Sequence, residues 1–154
     1  MRIWEHTLKE LIGDAQTQDA DDGEMYAQPF IPQSVVPITF NPKYATAMLR
    51  GGGSFAHQVL LELRDGQWVC VGSYVDDTIF IDPNVRGKGL AEELVLRCAD
   101  HRPTLPLTTM FSTKGRKLLE RTHELAIERA LAAGLEVPQT VMEDFERYKA
   151  KRQH

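Results

Sequence analysis

Apolar and polar positions are patterned most clearly in the middle of the chain. His57-Gln58-Val59-Leu60-Leu61-Glu62-Leu63 reads as a strand, Asp65-Gly66 as a hairpin turn and Trp68-Val69-Cys70-Val71-Gly72 as the return strand, which Tyr74-Val75 can extend. Asp76-Asp77 makes the next turn, and Ile79-Phe80-Ile81 has the composition of a pleated, half-buried surface. Asp82-Pro83-Asn84 stops that strand, because proline cannot donate to a ladder and asparagine favours turns. The period then changes: Leu90, Ala91, Leu94, Val95 and Cys98 share one helical face, with Glu92, Glu93 and Asp100 off it. Arg102-Pro103 ends the helix, and Leu105 to Phe111 reads as a short, proline-marked strand. Ser112 is the expected N-cap of the longest helix, about Lys114 to Ala133, with Gly134 closing it. Leu118, Leu119, Thr122, Leu125, Ala126, Ala130 and Ala133 form its inward stripe. After Pro138, residues 140–151 form a last helix with Val141, Phe145 and Tyr148 inward and a basic end.

The first third is less periodic. Residues 1–13 read as a short helix, or as a mixed strand and helix, with Ile3, Trp4, Leu8, Leu11 and Ile12 forming an apolar face. Residues 14–24 turn acidic, with little to bury, and read as a loop; they lack the spacing of a calcium loop. Pro29, Pro32, Pro37 and Pro42 exclude a helix over 25–42 and leave room only for short edge strands. Asn41-Pro42 predicts the start of a brief helix through Tyr44, Ala47 and Met48, ended by Gly51-Gly52-Gly53. That glycine run suits a connector or a second phosphate-contacting loop.

At 154 residues the chain has one domain's worth of length, and 42% apolar with 26% charged residues is ordinary for a soluble protein. The net charge of −4 argues against nucleic acid as a general partner. No apolar run reaches the length of a membrane span, and no signal-peptide core opens the chain, so a cytoplasmic location is the expectation. Two cysteines, Cys70 and Cys98, make no disulfide framework; Cys98-x-x-His101 is half of a metal motif without a second half, and no metal is expected.

Between the third strand and its helix lies Arg86-Gly87-Lys88-Gly89. Strand, glycine turn and helix N-terminus together can hold an anion: first-turn N–H groups lack helical partners, and the helix dipole favours negative charge there. The dinucleotide fingerprint fails because position 92 is Glu, and no Lys-Ser/Thr pair follows to make a P-loop. Ile81-x-Pro83-x-x-Arg86-Gly87-Lys88-Gly89-Leu90-Ala91 resembles the acyl-CoA signature of the GCN5-related N-acetyltransferase (GNAT) superfamily. That signature lies between the family's fourth strand and third helix. The likeness is strongest over residues 55–135 of a single domain, 1–154, and residues 136–154 read as helix where the family closes with two strands.

The resemblance implies an α/β (α+β) fold with a mixed, largely antiparallel central sheet flanked by helices, acyl-CoA N-acyltransferase-like, with a helical C-terminus. It implies acetyl-CoA as co-substrate and acetyl transfer to an unidentified amine by direct attack. The backbone of Arg86, Gly87, Lys88, Gly89, Leu90 and Ala91, beside Val85, would take the pyrophosphate; the edge formed by Ile79, Phe80 and Ile81 would pair with the pantetheine arm. The reaction needs a base, oxyanion donors and an acid for the thiolate. Asp76, Asp77 and Glu62 are the candidate bases. The family's tyrosine acid, in the frame Ala126 to Leu135, falls on Ala130, leaving Tyr74, Ser112, a water or no residue at all. The acceptor site is then remodelled, or completed by a second copy in a homodimer. Two other functions stay open: a catalytically silent binding or regulatory module of the same fold, and acetylation of a macromolecule (protein lysine or nucleobase) aided by Arg147, Lys149, Lys151 and Arg152.

Overall fold

The structure, a computed structural model, describes residues 1–19, 27–29, 37–48, 58–75, 78–101 and 110–152. In chain order a 3-10 turn (Ile3–Glu5) is followed by α1 (Leu8–Ile12), β1 (Gln16–Thr17), β2 (Gln28–Pro29), β3 (Ile38–Thr39), β4 (Tyr44–Met48), β5 (Gln58–Arg64), β6 (Gln67–Val75) and β7 (Thr78–Ile81). A second 3-10 turn (Pro83–Val85) leads to α2 (Leu90–Asp100), then β8 (Met110–Phe111), α3 (Thr113–Ala132) and α4 (Gln139–Arg152). The chain divides into two compact units, Met1–Ala20 with Arg102–His154, and Asp21–His101.

The Asp21–His101 unit is an antiparallel sheet with a helix on one face. Five strands lie in the order β2-β6-β5-β4-β3, and β7 also pairs with β6, so β7 and β2 share one edge of that strand. Between β5 and β6 the register shifts: Leu60 faces Gly72 but Leu61 faces Cys70, and Val71 is left over as a bulge. Tyr44, Leu60, Val71, Ile81, Val85, Leu90 and Leu94 form one buried cluster joining sheet, turn and α2. On the other face Ala45, Ala47, Val59, Leu61 and Cys70 form a second. Leu94 is fully buried, so Leu94→Ala removes about 2–5 kcal/mol and loosens α2 from the sheet.

Residues 44–48 are a strand, not the helix expected from Asn41-Pro42. The Asn41 side chain accepts from Lys43 N–H and Tyr44 N–H, each at 2.8 Å, which imitates a helix cap but turns the chain into β4. Tyr44 and Thr46 then face one way and Ala45 and Ala47 the other, all four buried. A strand buried on both faces shows no alternation, which hid it in the sequence. Glu93 also departs from expectation: it is buried on α2, its carboxylate bonded to Arg97 Nη1 at 2.5 Å, and the Arg97 guanidinium lies 4.6 Å from the Phe40 ring centre.

In the other unit, Thr7 and Glu10 form a capping box that starts α1. The acidic stretch is partly structured: Gln16 and Thr17 pair in parallel with Met110 and Phe111, and the Asp19 carboxylate accepts from Thr113 N–H and Oγ1, each at 2.8 Å. Ser112 caps α3 as expected, accepting from Gly115 N–H at 3.0 Å. The far end closes in a Schellman motif, Leu135 N–H to Ala130 C=O and Gly134 N–H to Leu131 C=O. Ile127, Val141 and Phe145 join α3 to α4 with Trp4, Val137 and Met142 around them. His123 is fully buried there; its Nε2 lies 2.7 Å from the His6 carbonyl, which can only accept, so Nε2 carries the proton. Its Nδ1 and the Tyr148 hydroxyl are buried without a hydrogen-bond partner among the described residues.

Candidate functional site

The turn between β7 and α2 is built from Asp82 outward. This carboxylate, only 2% exposed, accepts from Asn84 N–H at 2.9 Å, Asn84 Nδ2 at 3.1 Å and Ala27 N–H at 2.8 Å. The Asn84 backbone bond is the main cause holding its carboxyl below the usual range, burial opposing it and the Ala27 bond adding to it. Asp82 thereby fixes both the 3-10 turn and the entry into β2. Gly87 and Gly89 follow with φ of +81° and +74°. A Cβ at either would meet nothing within 4 Å, so these glycines are required by backbone conformation and leave open space beside them.

Gly89 is the N-cap of α2, and no side chain among the described residues caps the helix. The first helical bond is Glu93 N–H to Gly89 C=O at 3.3 Å, so the N–H groups of Leu90 and Ala91 have no acceptor within the helix. The side chains of Val85 and Leu90 are buried, at 3% and 4% exposure, and anchor the turn from below.

Beside the turn runs the outer edge of β7, which pairs only with β6 among the described residues. Val75 pairs with Thr78 across the hairpin, and Asp82 N–H donates to Val71 C=O at 2.8 Å. Antiparallel alternation therefore turns Phe80 toward β6 and the backbone groups of Ile79 and Ile81 outward. The Ile81 carbonyl accepts from Arg86 Nε at 3.1 Å, so Arg86 closes one end of this edge.

Arg86 and Lys88 are exposed and bring positive charge to the helix start. Glu92 and Glu93 lie in the first turn of α2, and Arg97 offsets the second of them. Lys88 Nζ reaches the Tyr44 hydroxyl at 3.4 Å. Tyr44 and Glu62 are opposed across β4 and β5, and Arg64 Nε bonds Glu62 Oε1 at 2.6 Å. Burial pushes the Glu62 carboxyl up, but hydrogen bonds from Arg64 and Tyr44 outweigh it and hold the group below its usual value. Burial, followed by Glu62, pushes the Tyr44 hydroxyl up.

The structure brings together the ten residues expected to hold the ligand: Ile79, Phe80 and Ile81 on the open-edged strand, and Val85 to Ala91 on the turn and helix start. Tyr74 is half-buried on β6, packed against the cluster under α2. Asp76, Asp77 and the glycine run 51–53 lie outside the described residues. Glu62 is not a free base, since Arg64 occupies it and its affinity for a proton is lowered. Ser112 is engaged as a helix cap, and Ala130 is buried in α3 at 3% exposure. Tyr44 is the residue that sequence reasoning missed, because its pattern reads as helix; on a strand it lies opposite Glu62 and packs with Val85 and Leu90 of the turn. No group of three or more metal-ligating side chains occurs among the described residues, and no described helix is long and apolar enough to cross a membrane. No family model, curated protein or solved structure matches the chain.

Proposed function

We propose that the chain is an atypical GNAT-like protein that binds acetyl-CoA at the β7–α2 turn and transfers the acetyl group to an amine. The observation that carries this reading is the juxtaposition of a strand edge unpaired and a helix start uncapped among the described residues with two exposed cations around left-handed glycines. The N–H groups of Leu90 and Ala91 and the charges of Arg86 and Lys88 suit a pyrophosphate. The outward N–H and C=O of Ile79 and the N–H of Ile81 suit the amides of an extended pantetheine arm, as in strand addition. Attack of a neutral amine on the thioester carbonyl forms the amide and expels thiolate, so the chain must accept one proton and return one. Asp76 and Asp77, which precede β7 in the sequence, remain the candidates for the first task, and Tyr74 for the second. Calorimetry tests the binding half: CoA and acetyl-CoA bind with micromolar affinity, and Arg86→Glu with Lys88→Glu abolishes it. No heat with either ligand sinks the reading.

A second reading, a binding module without turnover, is favoured by one observation. Ala130 cannot donate a proton, and Glu62, a buried carboxylate of the sheet, is committed to Arg64. It predicts CoA binding without thiol release across a broad amine panel, and measurable turnover excludes it. Acetylation of a macromolecule draws less support from the basic C-terminal end: Arg147 bonds Asp144 at 3.0 Å and Lys149 lies 4.5 Å from the Phe145 ring centre.

A further inference from the structure

We propose that Tyr44, oriented by Glu62, positions the Lys88 ammonium for a phosphate of the ligand. The inference rests on the CoA-binding reading above and names a positioning residue that the turn motif does not contain. Lys88 is exposed, and a lysine stem left to itself samples many rotamers, which ligand binding would have to freeze. Tyr44 is the opposite: 5% exposed, clustered with Val85 and Leu90 on either side of the turn, and stacked on Phe40 with ring centres 6.4 Å apart. Its hydroxyl cannot wander. The donors and acceptors run in one consistent direction. The Lys88 ammonium only donates and reaches the Tyr44 oxygen at 3.4 Å; Tyr44 stands opposite Glu62 across β4 and β5, so its one proton has a carboxylate to face; that carboxylate only accepts, and takes Arg64 Nε at 2.6 Å. Tyr44 is a positioning residue: it touches Lys88, not the ligand.

A double-mutant cycle reads this coupling, with CoA and inorganic pyrophosphate as probes in calorimetry. Tyr44→Phe keeps the packed ring and removes only the hydroxyl. At 3.4 Å the bond is long, so the expected loss of affinity is modest, about threefold to tenfold for both probes. In a Lys88→Ala background the same change has almost no effect, since contacting groups that act together are not additive. Loss of the buried hydroxyl beside Glu62 lowers the melting temperature by the same amount in both backgrounds, so calorimetry is run well below it, on the folded chain. Equal losses in both backgrounds, or none in either, overturn the positioning role and leave CoA binding standing. Absence of binding by the unaltered chain to both probes overturns both. Lysine side-chain ¹⁵N spectra of the unaltered chain give a readout independent of any variant's folding. A Lys88 ammonium exchanging its protons markedly more slowly than other exposed lysines is expected, and exchange as fast as theirs overturns the proposal.

Discussion

Replacing Gly89 by alanine separates the two reasons a glycine can stand at the start of α2. At φ +74° a side chain strains the backbone by about 1–2 kcal/mol, while the less flexible unfolded chain offsets about 0.4–1 kcal/mol of that. No packing penalty is added, because the new methyl meets nothing within 4 Å. A net loss of about 1 kcal/mol follows, or roughly 2–4 °C in melting temperature for a chain of this size. Gly72→Ala provides the contrast: its methyl would stand 2.9 Å from both the Phe80 carbonyl and Ile81 Cδ1 and 3.2 Å from Leu60 Cβ, so sheet and core must shift and stability falls much further. The methyl at Gly89 does, however, enter the space assigned to a pyrophosphate, and CoA affinity should fall by at least about tenfold, beyond anything 1 kcal/mol of stability explains. Denaturant unfolding and calorimetry on the same sample give the two numbers. A chain destabilised by about 1 kcal/mol that binds CoA unchanged would refute the placement of the ligand and leave Gly89 as a turn residue only.

Other perturbations reach the rest of the molecule. Burial holds the His123 imidazole below its usual pKa of 6.5, against the raising effect of the His6 carbonyl and Asp144. The stability this gives its unit is full above about pH 6.5 and is lost as pH falls toward the folded value, by at most about 1.4 kcal/mol per pH unit. Urea unfolding followed through Trp4 between pH 7.5 and 5.5 should show that slope, His123→Asn should flatten it, and a flat profile in the unaltered chain contradicts the buried neutral ring. Ser112→Ala removes the bond to Gly115 N–H and should lower stability by about 1 kcal/mol, less if Asp19 takes over the cap through Thr113. In Asp82→Asn the new amide faces N–H donors, so the Ala27 amide should exchange faster with deuterium; unchanged protection there contradicts Asp82 as the link between turn and β2. The stability that Asp82 contributes is present above the ordinary carboxylate range and is lost as pH drops through its lowered folded value.

Where sequence and structure agree, a local signal sufficed. The β5–β6 hairpin, β7, and the helices after Gly89 and Ser112 were legible from period, turn chemistry and caps, because each depends on neighbours within a few residues. The two glycines marked the turn correctly, since glycine takes their positive-φ angles with the least strain. What stayed hidden depends on distant partners. β4 is buried on both faces, so its alternation vanishes and Asn41 looks like a cap. Glu93 reads as a surface charge until Arg97 and Phe40 are seen around it. Glu62 passes for an available base until Arg64 and Tyr44 are placed beside it, and its lowered proton affinity then removes it. The structure thus supports the ligand-holding half of the site more strongly than the proton-transfer half.

Backbone amide spectroscopy during a CoA titration tests the site most directly, because the backbone groups assigned to the ligand include the N–H groups of Ile79, Ile81, Leu90 and Ala91. Saturable shifts concentrated at Ile79, Ile81 and Gly87 to Ala91 are expected, and Arg86→Glu with Lys88→Glu should abolish them while the remaining spectrum keeps its dispersion. A titration to millimolar CoA that leaves those amides in place, or moves a different set, contradicts the assignment of the β7–α2 turn as an acyl-CoA site.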